Sequence, residues 1–278
     1  MEIVFNKVSY IINKSTQLEK TLLNNVSFSI VESGIYSFIG SSNSGKSAIG
    51  KLISTLEIPS IGEVKLGRYK SDGRQRGLSS VRRKIGFVTK NPYDMFFNKT
   101  VFDELSFGMK EFKYKSYQSN RVINALKLVN LSEKYIDLNP LSLNLVDAKK
   151  LALACILIYN PEVIILDEIS NGISSVDKKE LIRLFRILKN KYHKTIILLS
   201  KDTSFCYEIT DYVYLMNLTR IVSFGSKELL ENSKLLKSNN LEVPKIVSFV
   251  DECNKKSHQI NYYNNILDLI KGVYRDVY

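Results

Sequence analysis

One octapeptide constrains this chain more than any other stretch. Gly40, Ser41, Ser42, Asn43, Ser44, Gly45, Lys46 and Ser47 fit the phosphate loop G-x-x-x-x-G-K-S/T. Such a loop works only between a strand and a helix, and its flanks supply both. Ile35 to Ile39 is a short apolar run suited to a buried strand, and Ala48 to Leu56 opens a helical pattern. At that junction successive backbone N–H groups form a concave anion site, reinforced by the positive end of the helix dipole. Lys46 is then placed to reach the β- and γ-phosphates of a nucleotide, and the Ser47 hydroxyl to hold Mg2+. A position often filled by glycine carries Asn43. Asparagine tolerates left-handed backbone angles better than most residues, so the loop is expected to form.

The rest of the chain organises around that junction. Ile3 to Phe5 and Val26 to Ile30 alternate in a strand-like way, with a polar loop from Asn13 to Lys20 between them. Ile85 to Thr89 reads as a strand halted by Asn91-Pro92. Apolar residues from Tyr117 to Val129 follow helical spacing, and a further helix is expected from Val146 to Ile158, ended by Asn160-Pro161. Val163 to Leu166 is fully apolar, as in a parallel strand covered on both faces, and runs into Asp167 and Glu168. A helix over Lys178 to Tyr192 and strands over Thr195 to Leu199, Tyr212 to Met216 and Arg220 to Phe224 complete an α/β core. After Gly225 the pattern turns helical. Ile260, Tyr263, Ile266, Leu267, Ile270 and Val273 form one apolar stripe, which reads as a docked core face.

Composition narrows the class. At 278 residues the chain can hold one sizeable core and a small appendage. Cys155, Cys206 and Cys253 show neither a disulfide framework nor a zinc spacing, so a reducing cytoplasm is expected. Neither a signal sequence nor an apolar run of about 20 residues, the length of a membrane span, is present. The formal charge of +12 invites a nucleic-acid partner, but the basic residues are scattered and the cluster Arg74, Arg76, Arg82, Arg83, Lys84 is short. An anionic membrane surface or an acidic partner accounts for the charge equally well, and direct nucleic-acid binding is not expected.

Asp167 and Glu168, at the end of an apolar strand, are the natural partners of a phosphate loop. Asp167 would hold Mg2+ through its water shell, and Glu168 would polarise an attacking water as the catalytic carboxylate. With both motifs in place, the chain resembles an ABC-type ATPase, and more narrowly the ATPase subunits of energy-coupling factor transporters. The resembling segments are Val8 to Tyr10, Leu22 to Phe28, Val88 to Pro92, Thr100 to Gly108, Asn160-Pro161, Ile165 to Glu168 and Asn171-Gly172. The tail from Leu235 through Val243-Pro244 also looks like that group's C-terminal extension.

The resemblance implies an α/β fold: a P-loop NTPase of the ABC nucleotide-binding type. Residues 1–225 would form the nucleotide-binding domain, with a helical subdomain at about 110–160, and residues 226–278 a C-terminal helical extension. It implies ATP and Mg2+ as cofactors and a second ABC ATPase subunit paired head to tail. It also implies an integral membrane coupling protein, docked around Lys90 to Phe107, and a substrate-binding membrane subunit. The chain would then sit peripherally on the cytoplasmic face of the membrane and power uptake of vitamins or metal ions.

The accessory positions depart from the family. The glutamine that contacts Mg2+ and the attacking water falls on Lys90, the switch histidine on Lys201 and the D-loop aspartate on Ser174. The aromatic platform for the adenine falls on Ile12, with Tyr10 close by. The signature Leu-Ser-Gly-Gly-Gln falls on Leu143, Asn144, Leu145, Val146 and Asp147. In the family, signature N–H groups grip the γ-phosphate bound by the partner. Leu145 and Val146 add bulk where close backbone approach favours glycine, and Asp147 adds negative charge near a polyanion. The expectation is a subunit that binds nucleotide and hydrolyses it weakly. The alternatives are a competent ATPase of the same complex and a soluble ABC protein acting on nucleic acid or ribosomes.

Overall fold

Two stretches of alternating apolar and polar residues near the N-terminus become the long antiparallel strands β1 (Ile3–Ile12) and β2 (Lys20–Ile30). Both outrun the runs legible in the sequence, because register shifts after Phe5 and Val8 break the strict two-residue period. With β4 (Ile61–Leu66) and β5 (Tyr69–Lys70) they form a four-stranded sheet in the order β2-β1-β4-β5. The computed structural model describes residues 1–71, 78–111, 118–256 and 260–277. Arg74 and Arg76 of the basic cluster, and Tyr117 at the expected start of a helix, lie outside the described residues.

A second sheet carries the candidate site. Its strands are β3 (Ile35–Gly40), β6 (Ile85–Val88), β7 (Val163–Asp167), β8 (Thr195–Ser200), β9 (Tyr212–Asn217) and β10 (Arg220–Ser226), in the order β10-β9-β3-β8-β7-β6. The pairs from β9 through β6 are parallel, and β10 is an antiparallel edge. The unbroken apolar runs of β7 and β8 divide by two-residue period between two cores. Ile164, Leu166, Ile196 and Leu198 face one cluster, and Val163, Ile165, Ile197 and Leu199 the other.

The first cluster is closed by α3 (Val101–Glu111), α4 (Gln118–Leu128), α5 (Leu145–Leu157) and α6 (Ser175–Tyr192). The second is closed by the four-stranded sheet and α1 (Lys46–Ile53). A short helix α2 (Leu78–Arg82) precedes β6.

Beyond β10 the chain packs back through a third cluster. Leu230, Leu236, Leu241 and Val247, from around α8 (Ser233–Ser238) and α9 (Lys245–Lys255), meet Ile39 of β3, Val213 and Leu215 of β9, and Cys206 and Tyr207 of α7 (Thr203–Ile209). The apolar stripe expected to dock the tail, on this protein or on a partner subunit, packs on this chain only in part. Ile260 and Tyr263 precede α10 (Ile266–Val277) and are half-buried, as is Val273, while Ile266, Leu267 and Ile270 are exposed and Leu269 and Gly272 are buried. The period fails because Asn265 starts a new helix, its side chain accepting the Asp268 amide at 3.0 Å. Among the described residues, no helix is long and apolar enough to cross a membrane.

Candidate functional site

The Gly40–Ser47 loop joins β3 to α1. Asn43 adopts φ 64° and Gly45 φ 98°, so the left-handed turn that asparagine was expected to tolerate is adopted. A Cβ on Gly45 would run into the Leu22 carbonyl oxygen, and one on Gly40 into Ser44 and the Met216 carbonyl oxygen. Both glycines are therefore required by close backbone approach. Lys46 is buried and donates to the carbonyl oxygens of Gly40 and Ser41 at 2.7 and 2.9 Å and to Ser44 Oγ at 3.4 Å. It also stands 4.0 Å from Glu168 Oε1. Burial drives its ammonium below the ordinary lysine range, opposed by the Glu168 and Asp167 carboxylates.

The fully apolar β7 delivers both acids to the same place. Asp167 is buried, with Oδ1 lacking a hydrogen-bond partner, and the Ser47 hydroxyl stands beside its carboxylate. Desolvation raises both carboxyls above their usual range; Ser47 opposes this at Asp167, and Lys46 opposes it at both. An orphaned carboxylate oxygen beside a hydroxyl is an all-oxygen donor set that fits a hard cation such as Mg2+. Glu168 adopts φ 48°, a left-handed conformation costing on the order of 1 kcal/mol for a residue with a Cβ. Its amide donates to the Leu199 carbonyl oxygen at 2.8 Å, and its Oε2 accepts the Lys201 amide at 3.4 Å.

A cleft of about 190 Å³ is lined by Leu22, residues Ser42 to Ala48, Lys90 and Glu168. A neighbouring cleft of about 460 Å³ shares Ser42 and Glu168 and adds Ser41, Asn171, Lys201 and Asn240 to Glu242. The fold thus gathers Lys90 and Lys201 on the two sides of the phosphate loop and the acid pair. Ile12 and Tyr10 do not line the phosphate cleft: Tyr10 is buried in the second core and Ile12 packs against it. The large apolar side chain among the residues lining that cleft is Leu22. Ser174 is exposed and caps α6, accepting the Asp177 amide at 3.1 Å.

Asn144, Leu145, Val146 and Asp147 line neither cleft. They form a self-capped helix start: Asn144 accepts the Asp147 amide at 3.0 Å and donates to the Asp147 carboxylate at 2.8 Å. Leu145 rests against Gly172.

Lys149, one turn further along α5, was not anticipated from the sequence. It is 5% exposed and donates to three main-chain carbonyls, those of Glu168, Ile169 and Asn171. A signal for it existed, since Lys149, Ala152 and Ile156 share one helical face of an otherwise apolar segment.

Residues 23–171 match the ABC transporter family. The chain is 32% identical over 260 residues to the energy-coupling factor transporter ATP-binding protein EcfA2 of Streptococcus agalactiae, covering 92% of each. It is 31% identical over 265 residues to EcfA3 of Oenococcus oeni, covering 94% of this chain and 92% of that protein. Among solved structures, the cassette MJ0796, a dimer in a post-hydrolysis state bound to ADP and Pi, superposes with a TM-score of 0.74 at 23% identity, covering 81% of this chain and 98% of its own. CbiO1 of Clostridium perfringens, part of the cbiONQ complex, gives 0.71 at 23% identity, covering 90% and 98%. At that identity the likeness speaks for the fold.

Proposed function

The chain belongs to the ABC transporter family, close to the ATP-binding subunits of energy-coupling factor transporters, and we propose that it is the nucleotide-holding, weakly hydrolysing member of an ATPase pair. The observation that carries this is the start of α5. Leu145 and Val146 stand where the family presents glycine amides to a partner's γ-phosphate, and directly after them the Asp147 amide is already taken by Asn144 and a carboxylate stands beside it. An anion approaching that helix end meets a charge of its own sign and a consumed donor.

On the chain's own side, the loop from Gly40 to Ser47 would cradle the phosphates of ATP. Lys46 would exchange the Gly40 and Ser41 carbonyls for β- and γ-phosphate oxygens. Ser47 and Asp167 would hold Mg2+, which supplies charge neutralisation between those phosphates. Glu168, its carboxyl raised by burial, is the base beside the attacking water. Lys90 and Lys201 add positive charge on either side of this acid pair, which supports retention of ATP rather than fast turnover.

In this reading residues 1–225 are the nucleotide-binding domain, with a helical subdomain at about 110–160, and residues 226–278 the extension. A second ATPase pairs head to tail with the chain on the cytoplasmic face of the membrane. A membrane coupling protein docks around Lys90 to Phe107, where Phe97 and Phe107 are exposed and meet edge to face at 4.6 Å. A separate membrane subunit would bind the transported vitamin or metal ion. The test is calorimetry with Mg·ATP on the purified chain, followed by turnover of the complex. Binding with turnover well below ~1 s⁻¹ is expected. A complex working at ~1–10 s⁻¹, an ordinary enzyme rate, and silenced by Glu168→Gln refutes the weak-hydrolysis reading.

A further inference from the structure

A lysine with almost no exposure is costly to keep unless every donor is satisfied. Lys149 meets that condition in an unusual way. An ammonium has three donors, and all of them go to carbonyls of one turn: Glu168 at 2.9 Å, Ile169 at 3.1 Å, and Asn171. That turn begins with Glu168, which is held at φ 48°. It continues to Asn171, whose amide donates back to the Glu168 carbonyl at 3.1 Å. The next residue, Lys150, clips the far end of the same segment. Its ammonium lies 3.0 Å from Asp177, which in turn accepts from the Ser174 hydroxyl at 2.6 Å. The segment from Glu168 to Asp177 is thus fastened at both ends to α5, whose first turn is the self-capped Asn144–Asp147.

We propose that Lys149 is a positioning residue for Glu168, setting the backbone from which that carboxylate reaches the phosphate cleft and tying it rigidly to the start of α5. The role rests on the reading of Glu168 as the base beside bound nucleotide. A lysine that served only to fill the core could be exchanged for an apolar residue of similar length without loss, as buried charged groups often can. Here such an exchange would take the lysine donor from three carbonyls of the Glu168 turn, leaving that of Glu168 with the Asn171 amide, and release the left-handed conformation at Glu168. Glu168 and Lys178 are the charged groups that act on the Lys149 ammonium, one favouring and one opposing its charge.

The experiment compares full-length wild type, Lys149→Met and Lys149→Gln, alone and in the complex with the partner ATPase and membrane subunits. Amide hydrogen exchange of residues 168–172 is expected to quicken at least tenfold in Lys149→Met, with β8 and α1 unchanged. In the complex, kcat for ATP should fall at least tenfold with KM within twofold, and Lys149→Gln, which keeps part of the donor set, should lie between. Unchanged exchange at 168–172, or a change in KM with kcat preserved, overturns the proposal. So does a loss of protection spread evenly over the sheet, or failure of both variants to fold, since each makes Lys149 a general stabiliser. The exchange measurement uses no nucleotide. A wild-type chain that binds no Mg·ATP would therefore refute the proposed function while leaving the clamp to stand or fall on exchange alone.

Discussion

Rebuilding the start of α5 as Leu-Ser-Gly-Gly-Gln sets a stability loss against a catalytic gain, and both can be sized. Asn144→Ser keeps a capping oxygen and costs little. Leu145→Gly and Val146→Gly each give up no more than about 1 kcal/mol of helix propensity. Leu145 is already 38% exposed, so the contact it loses with Gly172 is small. Asp147→Gln removes a carboxylate from the positive end of the helix, about 0.3–1 kcal/mol. The summed loss is roughly 2–3 kcal/mol, which a chain of this length shows as a fall of several degrees in Tm. Against it, two glycines let a γ-phosphate held on the partner approach the backbone closely, and a repelling charge disappears. A tenfold rise in turnover is about 1.4 kcal/mol of barrier, less than the effect of a single preorganised donor in comparable sites. The assay is steady-state ATP hydrolysis by the reconstituted complex alongside thermal denaturation. If the rebuilt chain folds, loses the expected few degrees and still turns over at the parental rate, the helix start is not what limits hydrolysis.

Lys46→Ala removes a charge-assisted contact worth about 1.5–3 kcal/mol, so calorimetry should show Mg·ATP affinity lowered by roughly ten- to a hundredfold. Burial holds the Lys149 ammonium at about 8, below the usual value near 10.4 for an unfolded lysine. The unfolded chain therefore binds more protons between those two pH values, and this group's contribution to stability rises with pH across that window and is flat below it. In denaturant titrations the stability of wild type relative to Lys149→Met should rise by on the order of 2 kcal/mol between pH 7.5 and 10; a constant difference would contradict the shift. In the tail, Leu236→Ala should cost about 2–5 kcal/mol as a core truncation. Ile266→Ser with Ile270→Ser should leave Tm nearly unchanged, which thermal denaturation can check.

The sequence made the site legible where one residue type answers one physical demand. A strand buried on both faces must be apolar throughout, and β7 and β8 are. A left-handed loop position admits glycine or asparagine, and Asn43 and Gly45 occupy two of them. The sheet order and the convergence of Lys90 and Lys201 on the acid pair depend on crossovers that no local pattern encodes. The tail was misread for a different reason. Periodicity from Ile260 to Val273 assumed one continuous helix, whereas Asn254 holds the Ile260 backbone through two bonds and Asn265 begins the helix anew. The true anchors, Leu230, Leu236, Leu241 and Val247, are spread over several short elements and share no period. Lys149 was passed over because a charged residue on a helix is usually taken as solvent-facing.

Ile39 belongs to the third core cluster with Leu230, Leu236, Leu241 and Val247, and the next residue is Gly40, the first of the phosphate loop. The tail and the loop therefore lean on opposite ends of one peptide unit in β3. A ligand that binds only the closed loop lowers the population of every opened state by the factor 1 + [L]/Kd. Any opening that unseats Ile39 carries that factor with it. Residues of α8 and α9 that touch no phosphate would then exchange their amides more slowly, and resist proteases longer, as nucleotide is added. Seen this way, the C-terminal segment is a remote gauge of occupancy, read without a label anywhere near the site.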